Sequence, residues 1–161
     1  MSTFTSPLSR GLALITAAVA AFTLLAGSAQ AHNRYGHGAK SRGKIVITIN
    51  KRTQRMVVRV GGVKRYVFRV STGKRGHATP RGTFRPLVLK KMHYSRKYNM
   101  AKMPNSIFFT SRGHAIHGTG AVRRLGRPAS HGCVRLAPGN AARLFALVKR
   151  HGRRNVTIRI I

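Results

Sequence analysis

IVITINKRTQRMVVRVGGVKRYVFRV, residues 45–70, alternates β-branched and cationic positions around two turn signals. Ile45-Val46-Ile47-Thr48-Ile49 is β-branched throughout, the composition of a half-buried strand. Asn50 to Gln54 is polar and turn-like. Arg55 to Val60 then sets Met56, Val58 and Val60 on one face. Gly61-Gly62 is a hairpin signal, and Tyr66 to Val70 resumes the alternation. An antiparallel meander of three strands is therefore predicted to open the domain.

Working outward, Thr83–Leu89 and Ile107–Thr110 read as further strands. Ser111-Arg112-Gly113 turns the chain into Ala115-Ile116-His117, and Val156–Ile161 reads as a closing strand. One amphipathic helix is predicted over Gly139–Arg150. Its apolar stripe is Ala142, Leu144, Phe145, Ala146 and Val148, with Arg143, Lys149 and Arg150 outside. Gly139 or Asn140 supplies its cap and Gly152 its stop. The fold class is mainly β, a β-rich α+β domain with one main α-helix near the C-terminus. Residues 44–161, about 118 in all, suffice for one domain with one modest core.

The residue inventory excludes most catalytic chemistry. The chain has 161 residues, Lys+Arg 32 and Asp+Glu 0. Paired carboxylates, a Ser-His-Asp relay and carboxylate-held magnesium or calcium are all ruled out. Side-chain ion pairs are ruled out too, so the cations repel without internal compensation and the fold should gain from salt or a polyanion. The formal charge of +32 suits an anionic partner: nucleic acid, membrane headgroups or cell-wall polymer. Aromatics for base stacking are sparse, which argues against a dedicated nucleic-acid role.

The N-terminus indicates the compartment. Gly11 to Gly27 is apolar or small apart from Thr16 and Thr23, and Ser28-Ala29-Gln30-Ala31 follows. A run of about 17 residues falls short of the roughly 20 that span a bilayer, and an A-x-A cut site comes next. Residues 1–31 are expected to be a secretory signal peptide, and export to place the protein in the periplasm or cell wall. His32–Gly43 is Gly-, His- and Lys-rich and reads as a flexible basic linker.

Ser130-His131-Gly132-Cys133-Val134-Arg135-Leu136 contains the only cysteine. One thiol cannot form an internal bridge, and in an exported protein it needs a purpose. His117 lies upstream in Ile116-His117-Gly118-Thr119-Gly120. A thiol with an imidazole to take its proton is the raw material of a cysteine nucleophile. The base needs an orienting acceptor, and without Asp or Glu a backbone carbonyl must serve, Gly118 being the nearest. The N–H groups of Gly132 and Cys133 would hold the oxyanion. His131 orients this loop, stabilises the oxyanion or has a purely structural role, and Ser130 hydrogen-bonds within the loop. A zinc set of His114, His117, His131 and Cys133 is a competing, weaker reading, and no metal or cofactor is expected. His93, Tyr94, Tyr98, Met100 and Met103 form either a lid over the site or a self-packed loop. His77 and His151 read as solvent-facing.

These segments resemble the L,D-transpeptidases of the YkuD type. The resemblance rests on His117-Gly118-Thr119, Ser130-His131-Gly132-Cys133, Val134-Arg135, Ser71-Thr72-Gly73 and Thr79-Pro80-Arg81-Gly82-Thr83-Phe84, in order over about Ile45 to Ile161. It implies a mixed β-sandwich or barrel and acyl transfer on peptidoglycan. Cys133 would attack a tetrapeptide stem at its third residue, and an amine would accept the acyl group. Arg135 would hold a stem carboxylate. The alternative is a basic, cell-wall-binding protein with an inactive transpeptidase-like fold. The sequence carries no signal for oligomeric state.

Overall fold

The computed structural model describes residues 43–161. The expected signal peptide over 1–31 and residues 32–42 of the expected linker lie outside the described residues.

The meander forms as predicted, from β1 (Ile45–Asn50), β2 (Arg55–Val60) and β3 (Val63–Arg69). Ile45, Ile47 and Ile49 point into the core and pair across to Val60, Val58 and Met56. Each such apolar side chain contributes about 1.5–3 kcal/mol by leaving water. The first turn is closed by Asn50, whose Oδ1 accepts from the N–H groups of Arg52 and Thr53 at 2.9 and 3.0 Å. In the second, Gly61 and Gly62 take φ of 56° and 83°, which a two-residue hairpin of right-handed twist requires.

The predicted strand Thr83–Leu89 is two strands instead. β4 (Gly82–Phe84) ends and β5 (Val88–Ser95) begins around Arg85-Pro86-Leu87. Pro86 has no N–H to give a ladder, and the chain changes sheets there. β6 (Ala101–Phe108) is longer than the predicted Ile107–Thr110 and starts earlier. β7 (Ala115–Gly118) and β8 (Val134–Leu136) follow, then α1 (Pro138–His151) and β9 (Val156–Ile160).

Two sheets result. One has the order β3-β2-β1-β9-β4, with β9 parallel to β1 and antiparallel to β4. The other has the order β5-β6-β7-β8, with β7 and β8 parallel. Apolar side chains of both sheets and of α1 form one core cluster.

The helix begins at Pro138, ahead of the predicted start, because a proline at the first helical position loses no hydrogen bond. Its buried face is Ala141, Leu144, Phe145, Leu147 and Val148. Ala142 and Ala146, expected in that stripe, are exposed. The i, i+3, i+4, i+7 set from Ala141 is the one that meets β6 and β7. His151, expected to face solvent, is half-buried with Nδ1 3.2 Å from the Gly43 carbonyl oxygen.

Candidate active site

β7 and β8 bring the two sequence-predicted groups onto one face. In their parallel register Ile116 pairs with Val134 and His117 with Arg135. Ile116, Val134 and Leu136 enter the core, so the alternate positions His117 and Arg135 emerge on the opposite face. Cys133 lies in the bend that leads into β8, two positions before the residue that pairs with His117. Both side chains line a cavity of about 320 Å³, together with Arg135, Tyr98, Met103 and His131.

His117 is 6% exposed, and its Nδ1 lies 2.7 Å from the carbonyl oxygen of Gly118. A carbonyl only accepts, so Nδ1 carries the proton and Nε2 keeps a lone pair. Burial pushes the ring down to about 4, against the pull of the Gly118 hydrogen bond and with help from the Arg135 and His93 charges. At neutral pH the imidazole is uncharged, with its Nε2 lone pair unprotonated.

Cys133 is half-buried, its Sγ 3.9 Å from the Gly113 carbonyl oxygen. Burial raises the thiol above the ordinary cysteine value. The Ala115 N–H and the Arg135 charge oppose that rise. Thiol and imidazole therefore both favour their uncharged forms at neutral pH.

The cysteine loop is held by its own residues. Ser130, fully buried, donates from Oγ to the Cys133 carbonyl oxygen at 2.5 Å and accepts from the Gly132 N–H at 3.1 Å. The Gly132 N–H, expected at the oxyanion, here donates to Ser130 Oγ, while the Cys133 N–H takes no part in that bridge. Gly132 has φ of 110°, and a Cβ there would meet the His114 ring at 3.0 Å. His114 in turn lies with Nδ1 2.9 Å from Thr110 Oγ1. Among the described residues no group of three or more His or Cys is arranged to hold a metal ion.

The segment after β3 braces this loop. Ser71 bridges Arg135, Gly73 bridges Ser130, and the Thr72 carbonyl accepts from the Ala129 and Ser130 N–H groups, both at 3.0 Å. Gln54, read only as part of a turn, is buried beneath it. Its Nε2 donates to Thr72 Oγ1 at 2.7 Å and its Oε1 accepts from the Thr72 N–H at 2.9 Å. No periodicity in the sequence marks such a side chain.

His93 to Met103 is neither a self-packed loop nor irregular. It is a β5–β6 hairpin whose 3-10 tip, Arg96–Tyr98, lines a cavity together with Cys133. The Tyr98 ring stacks on the exposed His131 ring at 4.9 Å and 24°, and His77 meets His131 edge-on at 4.7 Å. His77 is solvent-exposed as expected, yet it is engaged. The hairpin leaves two openings to Cys133, the cavity above and a second of about 470 Å³ bounded by Gly113, His114 and Phe108. Arg135 is half-buried and donates to the Ala129 carbonyl oxygen at 3.3 Å.

Comparisons with known proteins identify the family and agree with the fold. The model of the L,D-transpeptidase catalytic domain family, YkuD, matches residues 44–158. The Bacillus subtilis protein YqjB, a candidate L,D-transpeptidase, is 30% identical over 114 residues, 63% of this chain and 65% of that protein. The chain thus spans about 65% of the length of that relative. An L,D-transpeptidase of Mycobacterium smegmatis superposes with a TM-score of 0.65 at 23% identity, covering 74% of this chain and 59% of the other. The L,D-transpeptidase LdtMt1, solved with imipenem, gives 0.66 at 20% identity over 74% and 59%.

Proposed function

Because the chain belongs to the L,D-transpeptidase catalytic domain family, we propose that it is an exported transpeptidase that rearranges peptidoglycan stem peptides through a thioester on Cys133. His117 Nε2 takes the Cys133 proton as sulfur attacks the carbonyl of the third stem residue. The Cys133 N–H is the loop donor best left to meet the oxyanion. Collapse breaks the C–N bond, and His117 returns the proton to the departing D-alanine amine. A second amine then attacks the thioester by the same steps in reverse order. Arg135 is suited to a substrate carboxylate.

The single observation that carries this reading is the hydrogen bond from His117 Nδ1 to the Gly118 carbonyl, which fixes the basic tautomer without any acidic residue. Against an inactive wall-binding protein stands the open cavity joining that base to the thiol. The surface charge has its own use in this reading: it would tether the enzyme to anionic wall polymer in the periplasm. The imipenem complex of LdtMt1 suggests the probe. Purified protein incubated with a carbapenem and weighed intact should gain one adduct, absent from Cys133→Ala. No adduct on the unmodified protein, or an equal one on the variant, rejects the proposal.

A further inference from the structure

The sheet β3-β2-β1-β9-β4 has a second face that the active site does not use. Ile47, Met56, Val58 and Ile158 fill the core, so the positions between them face outward. These are Thr48 on β1, Arg55, Val57 and Arg59 on β2, and Arg159 on β9. None of them is buried, and none lines either opening to Cys133.

Two cross-strand pairs on this face set cation directly against cation. Arg55 lies opposite Arg69, and Arg59 opposite Lys64, all four exposed. Like charges so placed destabilise a sheet. Among the described residues no other strand pairing opposes two Lys or Arg side chains. The register slips between Val58 and Arg59, which leaves the exposed Arg65 as an extra cation beside the second pair. Val57 faces Val67 between the pairs, which stand about 14 Å apart along the strand. Arg69 donates to the Leu125 carbonyl oxygen at 2.9 Å, a partner that leaves its charge uncompensated. With Asp+Glu 0, no acidic side chain can relieve either pair, so the counter-charge comes from outside the chain. The two ends of the face are hollowed. Arg55 and Arg69 line one hollow of about 270 Å³ with Asn140. Thr48, Arg159 and Thr83, in register across β1, β9 and β4, line another of about 280 Å³. A chain laid across the five strands, about 19 Å, meets cations first and hydroxyls last.

Resting on the wall-tethering part of the reading above and not on Cys133, we propose that this face docks a linear phosphodiester polymer without bases, a polyol phosphate. Guanidinium forks match phosphate oxygens in paired hydrogen bonds, and threonine hydroxyls suit the polyol links. No aromatic side chain stands among the outward positions to stack a base, which disfavours a nucleic acid. Helices that lie on a membrane bury Trp, Phe or Leu, whereas the apolar outward positions here are valines on a sheet. The bound polymer would leave both openings to the thiol free.

The test is binding of purified poly(glycerol phosphate), followed by calorimetry over a series of salt concentrations. A DNA oligonucleotide with the same number of phosphates and vesicles of phosphatidylglycerol are compared with it. The polymer should bind the tightest of the three. The quadruple variant Arg55→Gln, Arg59→Gln, Lys64→Gln, Arg69→Gln should weaken that binding more than about tenfold at low salt. It should also flatten the slope of log affinity against log salt by about 3, from four phosphate contacts at roughly 0.7 each. The double variant Arg59→Gln, Lys64→Gln should lose about half of that slope. A control removes the same charge elsewhere, through the exposed positions Arg143→Gln, Lys149→Gln, Arg153→Gln, Arg154→Gln, and should change the slope by less than about 1. Thermal unfolding verifies the fold of each variant, and the sheet variants should melt higher at low salt because opposed cations are gone. An equal loss in the control assigns binding to bulk charge and overturns the proposal. So does an oligonucleotide or a vesicle bound as tightly as the polymer. Cys133→Ala should bind the polymer undiminished, and the sheet variants should keep their carbapenem adduct. Failure of docking and failure of the cysteine chemistry are therefore read separately.

Discussion

His117 donates from Nδ1 to the carbonyl oxygen of Gly118, its own chain neighbour, at 2.7 Å. A bond between adjacent residues needs no distant partner, so base and orienter arrive on the same strand. Buried and held near 4, well below the ordinary histidine value of 6.5, this ring makes the fold sensitive to acid. Between those two values the unfolded chain binds a proton that the folded one does not. The stabilisation is complete above about 6.5, falls as pH drops, and is gone below the folded value, a span of about 3 kcal/mol. Thermal unfolding from pH 7 to 4 should show a falling midpoint, and His117→Gln should flatten that slope. An unchanged slope in the variant means that other groups set it.

The thiol is expected to behave as an ordinary or sluggish one. Since burial raises Cys133, its alkylation by iodoacetamide should climb steadily from pH 6 to 9 without a plateau near neutrality. Rapid, pH-independent alkylation from pH 5 upward would reveal a resting thiolate–imidazolium pair and refute the neutral one.

Gly132 combines a φ of 110° with the His114 ring 3.0 Å from where a Cβ would stand. Gly132→Ala should cost about 1–3 kcal/mol of stability and slow carbapenem acylation by more than tenfold, because the cysteine loop must shift. Calorimetry and intact mass measure the two effects. Wild-type values for both would show that the loop tolerates the change.

Tyr98 holds the hairpin tip to His131 by stacking, a contact of about 0.5–1.5 kcal/mol. Tyr98→Ala should reduce acylation about threefold to tenfold, and Tyr98→Phe should restore most of it. If Phe is as impaired as Ala, the hydroxyl and not the stacked ring is the important part.

A chain with a formal charge of +32 and no acidic side chain should melt higher in salt. Raising sodium chloride from 20 to 500 mM should lift the midpoint by several degrees, and a fall would show that repulsion is not limiting.

The opening meander, the C-terminal helix and the Cys133–His117 pairing on one face were legible because each has a local signature: β-branched alternation, a 3.6-residue stripe, a lone thiol with histidines near. The insertion of β9 between β1 and β4 was not, since pairing across such sequence distance leaves no local pattern. The β5–β6 hairpin was hidden for a different reason. All of β5 and the first two residues of β6 are exposed or half-buried, so no apolar alternation marks them. The Ser130 bridge and the Gln54–Thr72 pair escaped because polar contacts depend on geometry that composition does not encode.

Ser71 and Gly73 clasp the cysteine loop from one side while β7 flanks it on the other. Segments from early, middle and late in the chain must all have met before the sulfur has a fixed place. Competence is thus the last property the chain acquires. An unfolded molecule carries the same atoms and has no site.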